Sequence, residues 1–136
     1  MGLTAACTAA WGIKAGALHH PAPGTTPGGQ NIGVNISVPV AGFVSSGDHL
    51  CPPPDTEGYL NSTRVRPAAY RNLEGWSHLE PVLWPPAENP LLATFTAAWF
   101  KVTLLGDRGQ WHDMVFGTGA GTLCGETPMV ACWAEP

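Results

Sequence analysis

Charge is what this sequence has least of. Charged residues make up 12% of the 136, about half of the ~25% usual in soluble domains. Only two are lysines, Lys14 and Lys101, and the net charge is −4. No basic patch can form, which argues against direct nucleic-acid binding. Long hydrophobic runs are missing too, since no stretch approaches the ~20 continuous apolar residues of a membrane helix. The opening "MGLTAACTAAWGIKAGAL" lacks a basic start, carries Lys14 inside and has no apolar core, so it makes a poor signal peptide. Cysteine is scarce: Cys7, Cys51, Cys124 and Cys132 are too few for a disulfide scaffold. Two bridges are possible in three connectivities, but without a secretory leader free buried thiols are the expectation. The triplets Asn35-Ile-Ser37 and Asn61-Ser-Thr63 matter as glycosylation acceptors only in a secreted chain.

What the chain has in excess is Gly and Pro, 17 and 14 of 136 residues, together roughly twice the usual ~12%. So many chain-breakers favour short strands joined by turns over long helices. The six Trp, combined with depleted charge, give the composition of a buried interface. Charges are also unevenly placed, with only Lys14 and Asp48 between Met1 and Pro54. The plain reading makes this first third a core. Its Gly, Pro, Thr and Ser content instead favours a segment lying against a partner.

Along the chain, Leu3, Cys7 and Trp11 fall at i, i+4 and i+8, which suits a short helix over Thr4 to Ile13 ended by Gly12 and Gly16, although Thr and Ala at that spacing also suit a strand. Gly16 to Gln30 reads as an uncharged arm. In "NIGVNISVPVAGFV", Ile32, Val34, Ile36, Val38 and Val40 alternate with small or polar residues, a period of two that predicts a half-buried strand. Pro39 places that strand at a sheet edge. Gly47 to Gly58 reads as an irregular connection, and "YLNSTRVRP" as a short strand. The span from Leu92 to Leu105, rich in Thr, Phe, Trp and Val, reads as a strand; "GDRG" is its turn and Gln110 to Phe116 the returning strand. "TLCGETPMVACW" reads as a small terminal hairpin. The expected fold is all-β: a small antiparallel sandwich or barrel-like domain over 31–136, behind a Pro/Gly-rich arm over 1–30.

Chemical motifs are few. "FGTGAGT" resembles a phosphate loop, but Pro128 follows too soon for the helix that such a loop needs, so it reads as a bend. His19-His20 and His49-Leu50-Cys51, with Cys124 and Cys132, supply metal-ligating side chains without the close pairs of a structural zinc site. Loop histidines are more often simply solvated. His112 and Asp113, adjacent on a predicted strand, point to opposite faces; Asp48 and His49 are adjacent in a loop of open geometry. No Ser or Cys sits in a nucleophile elbow, so no catalytic residue, cofactor or bound metal is expected. Trp99 and Trp111 read as core. Trp76 and Trp84 read as exposed, suited to stack on sugars or anchor a partner.

"HHPAPGTTPGG", and later "VLWPPAENPLLATFTAAWFKVTL" with Val82, Leu83, Trp84, Pro85 and Ala87, resemble the small head decoration proteins of lambda-type tailed bacteriophages. The hairpin and tail after Leu105 have no counterpart there. The resemblance implies a trimer on a capsid exterior whose arm adds a strand to the major capsid protein. On that reading the chain is a non-enzymatic structural protein of a virion shell, a homo-oligomer contacting neither nucleic acid nor membrane. Its partner-binding residues would be His20, Pro21, Pro23, Pro27, Ile32, Val34, Ile36 and Trp84. The alternative is a secreted carbohydrate-binding β-sandwich presenting Trp76 or Trp84. A third class, a metal-dependent β-barrel enzyme, would use His49 and His112.

Overall fold

A computed structural model describes residues 4–21, 35–79, 90–126 and 129–136. In it the expected all-β sandwich gives way to a mixed α/β fold, four helices with one four-stranded sheet. The helices are α1 (Ala5–Trp11), α2 (Pro53–Asn61), α3 (Pro90–Leu105) and α4 (Gln110–Phe116). The strands are β1 (Gly16–His19), β2 (Val40–Ser45), β3 (Ala68–Leu73) and β4 (Met129–Glu135), side by side in that order. The pairs β1–β2 and β2–β3 are parallel, and β4 closes the far side antiparallel to β3.

The expected helix over Thr4 to Ile13 is found as α1. The Thr4 hydroxyl accepts from Cys7 N–H at its start, and Gly12 ends it in the left-handed conformation at φ 65°. The predicted hairpin from Leu92 to Phe116 is instead two helices. Leu92, Phe95, Ala98, Trp99 and Val102 are the buried residues of α3, and their spacing of three and four is the period of one helical face. The β-favouring Thr, Phe, Trp and Val content that supports a strand is a preference for half-buried surfaces, which a packed helix also provides. The terminal hairpin is likewise replaced: residues 119–126 are turns and bends, and β4 pairs with β3 rather than with its own neighbour.

Ile36 and Val38 are buried but lie outside any strand, which begins only at Val40. All six residues of β2 and of β3 are buried, as befits parallel strands covered on both faces. On one face Val40, Val44 and Tyr70 pack with Ile36 and with Tyr59 and Leu60 of α2. On the other, Ala41, Phe43 and Ala69 meet Leu92, Phe95, Ala98 and Trp99 of α3 and Val115 of α4. The result is a helix–sheet–helix sandwich. Its β2–α2–β3 crossover brings the carboxyl ends of two adjacent parallel strands side by side, so the loops that follow β2 and β3 gather at one end of the sheet. Among the described residues no helix is long and apolar enough to cross a membrane.

Two further expectations are corrected. Cys124 and Cys132 form a disulfide, tying the segment after α4 to β4, while Cys7 and Cys51 are free. The stretch "YLNSTRVRP" is the end of α2 and a loop, and the "irregular" run before it contains the first turns of that helix.

Candidate functional site

Three loops leave the carboxyl ends of β1, β2 and β3, and each carries one residue of the site: His20, Asp48 and His78. Asp48 follows β2 after a tight turn in which its N–H donates to Ser45 O at 3.0 Å. The side chain is buried (its residue is 2% exposed), and its Oδ1 accepts from Leu50 N–H at 2.9 Å and from Cys51 N–H at 2.8 Å. Its Oδ2 lies 2.8 Å from His78 Nδ1. Burial alone would raise the Asp48 carboxyl, but the bonds from Cys51 N–H, His78 and Leu50 N–H outweigh it and hold the group below its ordinary value. It is a carboxylate at neutral pH, and a carboxylate only accepts, so Nδ1 of His78 carries a proton. The lone pair of the neutral ring is then on Nε2. The His78 side chain keeps 27% of its surface in solvent, so that proton-accepting nitrogen belongs to a partly open side chain.

The two loops approach closely because position 47 has no side chain. A Cβ on Gly47 would stand 2.5 Å from Trp76 O and 2.9 Å from Gly75 O. Across the same contact Ser45 Oγ donates to Trp76 O at 2.6 Å, and Gly75 N–H donates to Ser46 Oγ at 2.9 Å. The strand ends are thus stitched together just beneath Asp48 and His78.

His20 completes the arrangement. Its backbone has φ 46°, making it the one non-glycine residue with positive φ among those described; such strain gathers at functional positions. Its Nε2 lies 2.7 Å from Ser45 Oγ. Since the single Ser45 proton goes to Trp76 O, Nε2–H of His20 must be the donor, and Nδ1 is left as a bare, buried acceptor. The His20 and His78 rings meet edge to face with centroids 6.0 Å apart. Burial first, and the neighbouring His78 and His19 further, lower the His20 pKa against the opposing pull of Asp48.

No family model matches the chain, and no curated protein matches it. Its chemistry therefore rests on the geometry.

The residues singled out from sequence fare unevenly. Pro23, Pro27, Ile32, Val34 and Trp84 lie outside the described residues. His20 is buried, and Pro21 O accepts from the Thr56 hydroxyl of α2 at 3.3 Å. Ile36 is 4% exposed and belongs to the chain's own core. Trp76 is half-buried against the α3-side core, not exposed, while Trp99 is fully buried and Trp111 packs at the rim of that core. His49 is exposed on the Asp48 loop. His112, like Asp113, lies on α4 rather than on a strand, with its Nδ1 3.6 Å from Asp113 Oδ1. Neither joins the single cluster of three metal-ligating side chains found among the described residues, Asp48, Cys51 and His78. In the sequence Asp48 stands beside His49, whereas His78, 30 residues away, carries no motif that marks it. The signal that pairs it with His78 is two strand ends, each followed by a turn and then a titratable residue, which a reading of the region as all-β hides.

Proposed function

We propose that Asp48 and His78 are the acid–base half of a hydrolytic site that cleaves an acyl ester or a similar carbonyl bond. The observation that carries this reading is the 2.8 Å contact between a buried carboxylate and His78 Nδ1, at the carboxyl ends of adjacent parallel strands. The carboxylate fixes the tautomer, so Nε2 takes a proton from a water or hydroxyl as that oxygen attacks the carbonyl carbon. The imidazolium formed is stabilised by Asp48 and returns the proton to the leaving group. Acid before base along the chain, each after a strand, is also the order of the α/β-hydrolase sheet. Ser45 and Ser46 already bond Trp76 O and Gly75 N–H, so neither is assigned as the attacking hydroxyl.

This reading departs from the expectation of a non-enzymatic assembly protein; of the features stated with it, the all-β fold is replaced by a mixed α/β one and Ile36 is buried in the chain's own core. The test is hydrolysis of p-nitrophenyl acetate by the full chain. The wild type should exceed buffer, and His78→Ala should lose a factor of about 10²–10⁴, the usual contribution of a general base. Asp48→Asn should lose a similar factor while staying folded, because an amide donates to Nδ1 and moves the proton to Nε2. Wild-type hydrolysis no faster than buffer, or variants as active as the wild type, would overturn the proposal.

A further inference from the structure

The hydrolytic reading leaves one neighbour of the dyad unused. Cys51 lies three residues after Asp48 on the same loop, and its Sγ, one Asp48 oxygen and one His78 nitrogen all lie within 4.8 Å of one another. We propose that Cys51, Asp48 and His78 form a binding site for a thiophilic divalent cation of the zinc type.

The donor set argues for that class. Magnesium and calcium take oxygen ligands, whereas thiolate with imidazole and carboxylate suits Zn²⁺. In a tetrahedral zinc site with Zn–S near ~2.3 Å and Zn–N near ~2.0–2.1 Å, neighbouring donors stand roughly 3.5 Å apart. The widest pair here needs to close by only about an ångström, within reach of small side-chain rotations. The supporting shell is already built: Leu50 N–H and Cys51 N–H hold Oδ1 of Asp48 and fold the loop so that the thiol returns beside its own aspartate. The partly open His78 side chain offers a way in to a thiol that is itself buried. On binding, the Cys51 S–H proton leaves to solvent and a metal–sulfur bond forms. The thiolate, the carboxylate and the dication then sum to zero, which removes the main cost of holding charge in a buried place. His20, whose ring meets that of His78 edge to face with centroids 6.0 Å apart, has a buried Nδ1 acceptor with no partner, open to a further group bound beside the cluster. Resting on the hydrolytic reading, one consequence follows: the ion takes the carboxylate that orients His78 and one nitrogen of its ring, and so inhibits the enzyme.

The experiment is titration of the full chain, disulfide intact, with CdCl₂, following the ultraviolet thiolate-to-cadmium charge-transfer band. We expect the band to saturate at one cadmium per chain and to be displaced by Zn²⁺ but not by excess Mg²⁺. It should survive Cys7→Ser, vanish in Cys51→Ser, and need roughly tenfold or more cadmium in His78→Ala. Cadmium should also raise the melting temperature of the wild type by mass action, and Cys51→Ala should abolish that rise. No saturable band in the wild type, or a band that persists in Cys51→Ser, would refute the site. Cadmium binding without any ester hydrolysis would sink the hydrolytic reading alone. Hydrolysis without cadmium binding would sink this one alone.

Discussion

At the residue scale, the histidines set how stability depends on pH. Burial lowers the pKa of His19, and burial with nearby histidines lowers that of His20, both from 6.5. His20 donates through Nε2 to Ser45, and His19 Nε2 faces a Thr96 hydroxyl whose proton is committed to Leu92 O. Both rings are therefore held as neutral donors with an orphaned Nδ1. A histidine whose folded pKa is lowered is protonated more readily in the unfolded chain, so stability rises with pH in that range. The contribution is fully present above the unfolded value near 6.5 and is lost as pH falls through it toward the lowered folded values. Thermal melts should thus show a falling midpoint between pH 7.5 and pH 5. His20→Asn, which tolerates the left-handed backbone, should flatten part of that slope; a midpoint independent of pH in the wild type would contradict the assignment. Asp48 acts in a lower window: its depressed carboxyl stabilises the fold above its ordinary value of 3.8 and loses that contribution as pH falls below it.

At the element scale, what matters is how closely the β2–α2 and β3-end loops approach. Any side chain at Gly47 meets backbone oxygens of residues 75 and 76 rather than a yielding side-chain end. Gly47→Ala must therefore push the Asp48 and His78 loops apart, costing about 1–3 kcal/mol of stability, as overpacking usually does. Separation on the order of 1 Å also costs about 10²-fold in a positioned reaction. Ester hydrolysis should fall by more than the stability loss alone explains, read at a temperature where the variant is fully folded. The same scale decides what was legible beforehand. Helix α1 could be placed because Gly12 stops it where the sequence expects, but the apolar spacing behind that expectation is not its buried face: Thr8 is the residue it buries, and Trp11 is 76% exposed. Helix α3 is hidden in the sequence because its aromatic and β-branched content favours a strand, while the i, i+3, i+7 spacing of Leu92, Phe95 and Trp99 is that of a helix face. Strand β3, "AAYRNL", gives no alternation at all, since both of its faces are covered and even Arg71 lies inside, its guanidinium 4.6 Å from the Phe95 ring centroid.

At the scale of the whole molecule, the closing strand β4 joins the sheet across the longest sequence gap, and its hold on the rest comes from two sources. It pairs along β3, and Cys132 is bonded to Cys124 in the segment that follows α4. Leu123, beside that cysteine, is buried in the α3-side core, and its N–H donates to Met114 O at 2.6 Å. The bridge therefore links the sheet edge to a segment already anchored on α4. It closes a loop with a sequence separation of 8, and removing such a short closure costs roughly 2–3 kcal/mol on chain-entropy grounds. Urea unfolding of the reduced protein should give an unfolding free energy lower by that amount, seen as a midpoint shifted to lower urea with little change in slope. Loss of β4 alone would instead appear as a separate early transition, visible in the fluorescence of Trp133 next to Tyr70. Thiol titration in denaturant discriminates the covalent state directly: two reactive thiols per chain before reduction, from Cys7 and Cys51, and four after. Four before reduction would mean the bridge is absent, and β4 would then depend on its pairing with β3 alone.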